Sequence, residues 1–409
     1  MPSGRGLVTL AAAVAMWLAA RFVGSPTLHV VAVGVAVLPF AAAWFGHRAQ
    51  RRLAARRRID HPRVAVGQRV TVELEIENSS NASTSYLLVE DRLPSALGRS
   101  ARLVLAGVPA QRSQVARYTL VPPTRGRYPL GPMVVEQADP FALTRRRIEF
   151  RVLDELIVTP EVERLGDDAD ARTGTPTGAS RARRLLRTGE EFFTMRQYQT
   201  GDDLRRIHWP SVARTGELMI RQDESSRRAR GVLLLDTREG ALGPSRSPGF
   251  ERAVSVAASI GALMLRSGFS LRLALGETHV LPVAEEQLLD TLAGVSHHTS
   301  RAISPALARL RREASPDSTL VVVTGPPAPP ELTSIIRAGA AFGPRLAVVV
   351  NPADPATTTS GKADLVRDRA DSARLSLARS GWDVLVLSPS MRLREAWQTI
   401  KAPRPAATG

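Results

Sequence analysis

The sequence predicts three parts in series: a two-helix transmembrane hairpin, an antiparallel β-sandwich and a doubly wound α/β domain. Three observations predict them. Two apolar runs fall within the first 45 residues. A stretch of strict two-residue alternation begins near Val70, and after residue 229 apolar strand runs alternate with helically spaced segments. At 409 residues the chain has room for two or three domains, and 44% hydrophobic content supplies their cores.

The hairpin is read over residues 1–47, with spans at about 6–23 and 28–45. Each run is close to the length that crosses a bilayer at ~1.5 Å per residue. The tetrapeptide Gly24-Ser25-Pro26-Thr27 turns the chain between them. A cleaved signal peptide also has one such run, but a second run at once favours a hairpin. Arg5 precedes it, and Arg48, Arg51, Arg52, Arg56, Arg57 and Arg58 follow it. Arg21 alone lies near the turn, where it snorkels. The positive-inside rule then puts both termini and the soluble bulk in the cytoplasm of a two-pass plasma (inner) membrane protein. The basic juxtamembrane segment, 48–60, is a candidate for contact with anionic lipid.

There is no cysteine, which excludes disulfides and thiolate metal sites. The net charge of +16 invites a nucleic-acid reading. The excess is almost wholly arginine, Lys362 and Lys401 being the only lysines. No nucleic-acid-binding module accompanies it, so nucleic acid is not an expected partner.

Residues 61–160 read as the sandwich. Alternation over 70–77 makes one face apolar and the other charged, the mark of a half-buried strand. Asn78-Ser79-Ser80-Asn81 is turn chemistry. Further strands are expected at 85–90, 115–121, 127–130, 133–137, 147–152 and 155–159, separated by Pro and Gly. No set of residues with catalytic spacing appears there, which leaves a binding or spacer module.

Residues 161–188 form a linker rich in Gly, Asp, Ala, Thr and Pro. The stretch 189–228 that follows interleaves charges with Phe192, Phe193, Tyr198 and Trp209 in a chain only 5% aromatic. Glu190, Arg196, Asp202, Asp203, Arg205, His208 and Arg214 supply both signs of charge, which a partly buried network must pair. Gly201-Asp202-Asp203 is a turn signal, and arginine–carboxylate pairs are strong and directional. Three readings stay open: a latch between domains, a docking surface, and a hydrolytic centre of Glu190, Asp202, Asp203 and His208.

The spacing Gly189, Glu190, Phe192, Arg196, Tyr198, Gly201, Asp202, Asp203, Arg205, Ile207, Trp209, Ala213, Arg214 resembles the signature of domain of unknown function fifty-eight (DUF58). A second block, Arg125-Gly126-Arg127-Tyr128 through Asp139-Pro140-Phe141, is similar to the same family.

Residues 229–402 read as the α/β domain, with a tail at 403–409. Strand runs are expected at 231–235, 271–275, 320–324, 346–350 and 384–387. Helices are expected at 252–266, 332–340, 363–380 and 392–400. Ligands on such sheets bind at the carboxyl ends of strands, where Asp236 and Thr324 fall. The domain resembles the von Willebrand factor A fold, whose metal-binding members carry D-x-S-x-S after the first strand. Here the positions read Asp236-Thr237-Arg238-Glu239-Gly240. Mg²⁺ wants oxygen donors in near-octahedral array, and Arg238 brings a competing cation that pairs with Asp236. No cofactor is therefore expected; a metal-dependent recognition module is the alternative.

The DUF58 resemblance further implies a MoxR-type AAA+ ATPase as partner, with the chain as a membrane-anchored adaptor or assembly factor rather than an enzyme. The chain has no G-x-x-x-x-G-K-[ST] of its own. Oligomeric state is not legible.

Overall fold

The structure, a computed structural model, describes residues 4–49, 53–138, 145–165, 193–199, 207, 209–223, 229–276, 280–300, 302–352 and 360–399. It divides into two compact units, Met1–Thr159 and Pro160–Gly409.

The first unit begins with two apolar helices, α1 (Gly4–Val23) and α2 (Pro26–Ala49). They pack along each other. The buried positions of α1 are Gly6, Ala13 and Ala20, seven apart, and Ala32 and Ala42 are buried on α2. Small residues at that spacing let two backbones approach closely, while Val8, Val14 and Phe22 point outward. The His29 and Trp17 rings meet edge to face at 6.0 Å, and His29 Nδ1 lies 3.0 Å from the Ser25 carbonyl. By length and composition Gly4–Val23 can cross a membrane; Pro26–Ala42 is a shorter apolar stretch.

Ten strands follow: β1 (Leu53–Ile59), β2 (Arg63–Ala65), β3 (Val70–Asn78), β4 (Leu87–Asp91), β5 (Ala101–Leu105), β6 (Arg112–Leu120), β7 (Gly126–Leu130), β8 (Met133–Ala138), β9 (Arg145–Phe150) and β10 (Asp154–Thr159). They form three sheets, ordered β1-β3-β6, β2-β10-β7 and β5-β4-β8-β9. Strand β3 shows why: its inward residues Val70, Val72, Leu74 and Ile76 are fully buried. They meet Leu87, Val89, Leu130, Met133 and Leu156 in one core. Tyr128 fixes a corner, its buried hydroxyl donating to the Thr124 and Arg125 carbonyls at 3.0 and 3.1 Å. The pairing is antiparallel except between β2 and β10, which run parallel, so the region is not wholly antiparallel as the alternation alone suggested.

Within the segment 48–60, read as basic juxtamembrane surface, residues 53–59 form β1; Arg51 and Arg52 lie outside the described residues. Arg57 points inward with a side chain 0% exposed and pairs with Asp91. It also donates to the Leu130 and Val152 carbonyls and to Asp154. On the outer face Arg56 and Arg58 lie opposite Glu75 and Glu73. Arg57 is thereby removed from any lipid-contacting set, and its two neighbours have carboxylates across the strand pair.

The second unit opens on 160–165, of which 161–165 is read from sequence as linker but is packed here. Ser255 Oγ donates to the Glu161 carbonyl at 2.7 Å, and Leu165 is buried in the core. After residue 192 come β11 (Phe193–Gln197), α3 (Trp209–Thr215) and β12 (Met219–Asp223), with β11 and β12 an antiparallel pair. The remainder is β13 (Arg230–Leu235), α4 (Glu239–Leu242), α5 (Pro248–Arg266), β14 (Ser270–Leu275), β15 (Leu281–Pro282), α6 (Glu285–Gly294), α7 (Ser304–Leu310), β16 (Ser318–Thr324), α8 (Pro329–Gly339), β17 (Arg345–Val350), α9 (Ser360–Arg379), β18 (Asp383–Leu387) and α10 (Leu393–Thr399).

The sheet order is β15-β14-β13-β16-β17-β18. Strands β14, β13, β16, β17 and β18 are parallel, and β15 is an antiparallel edge. Alternate residues feed two cores. Leu233, Leu235, Val321 and Val323 pack with α5, whereas Val232, Leu234, Leu320 and Val322 pack with residues of α7, α8 and α9. Burial on both faces explains why these strands read as continuous apolar runs.

Candidate functional site

Strand β13 leads to β14 on one side and β16 on the other, so the crevice beyond the carboxyl ends of β13 and β16 is the sheet's switch point. Asp236 sits there, its N–H donating to the Val323 carbonyl at 2.8 Å. Thr324 Oγ1 donates to Asp236 Oδ2 at 2.7 Å. The structure thus joins the two residues on which the degenerate metal site was centred.

Arg238 completes the arrangement. Its Nε donates to Asp236 Oδ1 at 2.9 Å and its Nη2 to Oδ2 at 2.7 Å, a bidentate pair. The Arg238 N–H adds a fourth bond to the carboxylate at 3.2 Å. Its Nη1 reaches out to Glu331, whose other oxygen accepts the Ala328 N–H at the start of α8, 3.0 Å away. Side-chain exposure rises outward, 1% for Asp236, 7% for Arg238 and 26% for Glu331. Burial by itself lowers the Arg238 pKa, but Asp236 and Glu331 more than offset it, and the net shift is upward. The guanidinium is therefore a fixed charge.

This chemistry does not fit a divalent cation. Both Asp236 oxygens are committed to the guanidinium and the Thr324 hydroxyl, and positions 238 and 240 offer an arginine and a glycine. Close packing reinforces the closure: a Cβ at Gly325 would lie 1.9 Å from the Ala241 carbonyl oxygen. Beside the crevice, the Ser245 N–H and hydroxyl meet His297 Nδ1 at 3.0 and 2.8 Å, and the His297 N–H returns to Ser245 Oγ at 2.6 Å. Those bonds tie the loop before α5 to the segment after α6. The sequence reading missed Glu331 and His297. Glu331 carries one usable signal, a glutamate three residues after a helix start.

The signature is described only in part. Glu190, Phe192, Gly201, Asp202, Asp203, Arg205 and His208 lie outside the described residues. Arg196 is in β11 opposite Ile220. Tyr198 is half-buried, and its N–H donates to the Leu218 carbonyl at 2.9 Å. Ile207 bridges to Ile220. Helix α3 starts at Trp209, which is 65% exposed, and Arg214 in its last turn is exposed too. Gly216 ends it at φ 72°, a conformation glycine adopts without strain.

Residues 194–381 match the family model described as "Protein of unknown function DUF58". The uncharacterized protein YeaD of Bacillus subtilis (strain 168) is 27% identical over 244 residues. That alignment covers 58% of this chain and 59% of YeaD. Among solved structures, the CARDB domain of the PF1109 protein from Pyrococcus furiosus, in complex with di-metal ions, is 13% identical. It covers 26% of this chain and 94% of that one at a TM-score of 0.20. The alkylpurine DNA glycosylase AlkC of Pseudomonas fluorescens is 15% identical and covers 31% of this chain and 39% of its own, at a TM-score of 0.17. At such scores neither likeness carries an argument.

Proposed function

We propose, from the match of residues 194–381 to the DUF58 family model, that this chain is a membrane-anchored cytosolic protein-binding adaptor or assembly factor. In this reading α1 and α2 form a two-span hairpin with both termini in the cytoplasm. The strands after it make a sandwich, and the second unit is a von Willebrand factor A-like domain that works without metal. The partner, carried over from the family resemblance, is a MoxR-type AAA+ ATPase.

The observation that supports docking is the exposure of Trp209. A tryptophan 65% exposed on a seven-residue helix presents a large apolar face to solvent, and Trp is enriched among residues that dominate interface energy. The crevice supports recognition over catalysis, because among the described residues its buried carboxylate, Asp236, is engaged by Arg238 and Thr324.

The test is affinity capture from detergent-solubilised native membranes with the wild type, Trp209→Ala and Asp202→Ala/Asp203→Ala. The expected result is recovery of the ATPase by the wild type and its selective loss from Trp209→Ala at an unchanged melting temperature. Retention of the ATPase by both variants would remove the signature as the docking surface. Loss accompanied by a large drop in melting temperature would make the signature a structural latch.

A further inference from the structure

Strand β1 begins at Leu53, and α2 ends at Ala49. Whatever path residues 50–52 take, four Cα steps reach at most ~14 Å. Leu53 pairs with Asn78, a further ~5 Å across the strand pair, so the Asn78 end of the strand-rich region is held within roughly 20 Å of the end of α2. The headgroup layer on each side of the hydrocarbon core is itself roughly 5–8 Å thick.

Asn78 gathers the loops at this end. Its Nδ2 donates to the Ala82, Val108 and Pro109 carbonyls at 2.8, 3.0 and 3.2 Å. The Thr84 N–H donates to the Val108 carbonyl at 2.9 Å. Loops 79–86 and 106–111 are therefore gathered at the Asn78 end, where β1 starts, and neither contains an acidic residue. Beside them Arg112 is exposed.

Two large apolar side chains stand out of the same end. Tyr86 is 68% exposed and immediately precedes β4; Val104 is 69% exposed near the end of β5. Leu88 pairs with Val104, so strand alternation puts residues 86 and 104 on one outward face, as diagonal neighbours. An amphipathic tyrosine beside an aliphatic side chain suits the membrane–water boundary, where aromatic residues are enriched.

We propose that this end of the strand-rich region rests on the bilayer that anchors the chain, with Tyr86 and Val104 at headgroup depth. The inference rests on the membrane-anchor reading above. It assigns the lipid contact to loops 79–86 and 106–111 rather than to Arg57, which is buried.

The absence of native cysteine makes the test direct. Full-length Tyr86→Cys, Val104→Cys, Leu153→Cys and Val14→Cys variants are nitroxide-labelled in vesicles of phosphatidylcholine and phosphatidylglycerol. Collision with oxygen is compared with collision with an aqueous nickel chelate. Leu153 is the control: it is 66% exposed beside Asp154, at the opposite end of the strands. Nickel accessibility at 86 and 104 is expected to be severalfold below that at 153, with position 14 buried in lipid. Equal accessibility at 86, 104 and 153, with position 14 in lipid, would overturn the proposal and leave the anchor standing. A water-exposed position 14 would overturn the anchor and the proposal together.

Discussion

Arg57 is a cation removed from water, and its surroundings account for it atom by atom. Nε and Nη2 serve Asp91, and Nη1 serves two carbonyls and Asp154. Tyr118 gives its hydroxyl to Asp91 at 2.6 Å. Burial first, then the neighbouring Asp91 charge, pushes the Tyr118 hydroxyl far above its ordinary pKa, so it stays a donor. The network reaches β1, β4, β6, β7 and β10 and the turn after β9. Cutting one member strands the others: Arg57→Ala leaves Asp91 buried without its cation, a change that costs about 3–5 kcal/mol. Replacing both charges with apolar side chains of similar volume avoids the orphaned ion. Arg57→Met/Asp91→Leu is therefore expected to recover most of the stability lost in Arg57→Ala, read by denaturant titration of the detergent-solubilised protein.

Between elements, the segment 160–165 shows how a stretch without secondary structure is held. The Glu163 N–H donates to Ser259 Oγ at 2.9 Å. The Glu163 carboxylate takes Arg252 at 2.6 Å and the N–H groups of Leu393 and Arg394, at the start of α10, at 3.2 and 3.0 Å. Burial pushes the Glu163 pKa up, but the Arg394 N–H, Arg252 and the Leu393 N–H together hold it below the ordinary carboxylate value. A depressed folded-state pKa stabilises above the unfolded value and is lost as pH falls through the folded one. The clasp is therefore expected to weaken below about pH 4.5, the ordinary carboxylate range. Hydrogen exchange should then rise at residues 163, 393 and 394 together, and Glu163→Gln should show that faster exchange already at neutral pH. The sequence hid this clasp because Glu163 and Arg394 are 231 positions apart. It hid β1 for a related reason: three consecutive arginines suggest surface, and the inward one is satisfied by Asp91, 34 residues away. By contrast β3 was legible from its own alternation. Asp236 with Arg238 was legible because the partners are two residues apart, while Glu331, 93 residues on, was not. Most of the signature's charged residues lie outside the described residues, so its pairing is still an expectation.

At the scale of the whole molecule, each hydrophobic core among the described residues is built within one unit. Among the described residues, the core around Leu74, Leu130 and Leu156 is drawn from residues before 160. The two cores flanking the parallel sheet are drawn, among the described residues, from residues after 160. Apolar burial is the largest favourable contribution to folding, so two unmixed sets of cores set two cooperative units. Each unit has a buried guanidinium whose loss orphans a carboxylate, Arg57 with Asp91 and Arg238 with Asp236. Calorimetry of the intact protein in detergent is accordingly expected to resolve two transitions. Arg57→Ala should lower one and Arg238→Ala the other, each by several degrees, and the double variant should show the sum, as independent sites do. A single transition shifted by either substitution would mean that the two units unfold as one.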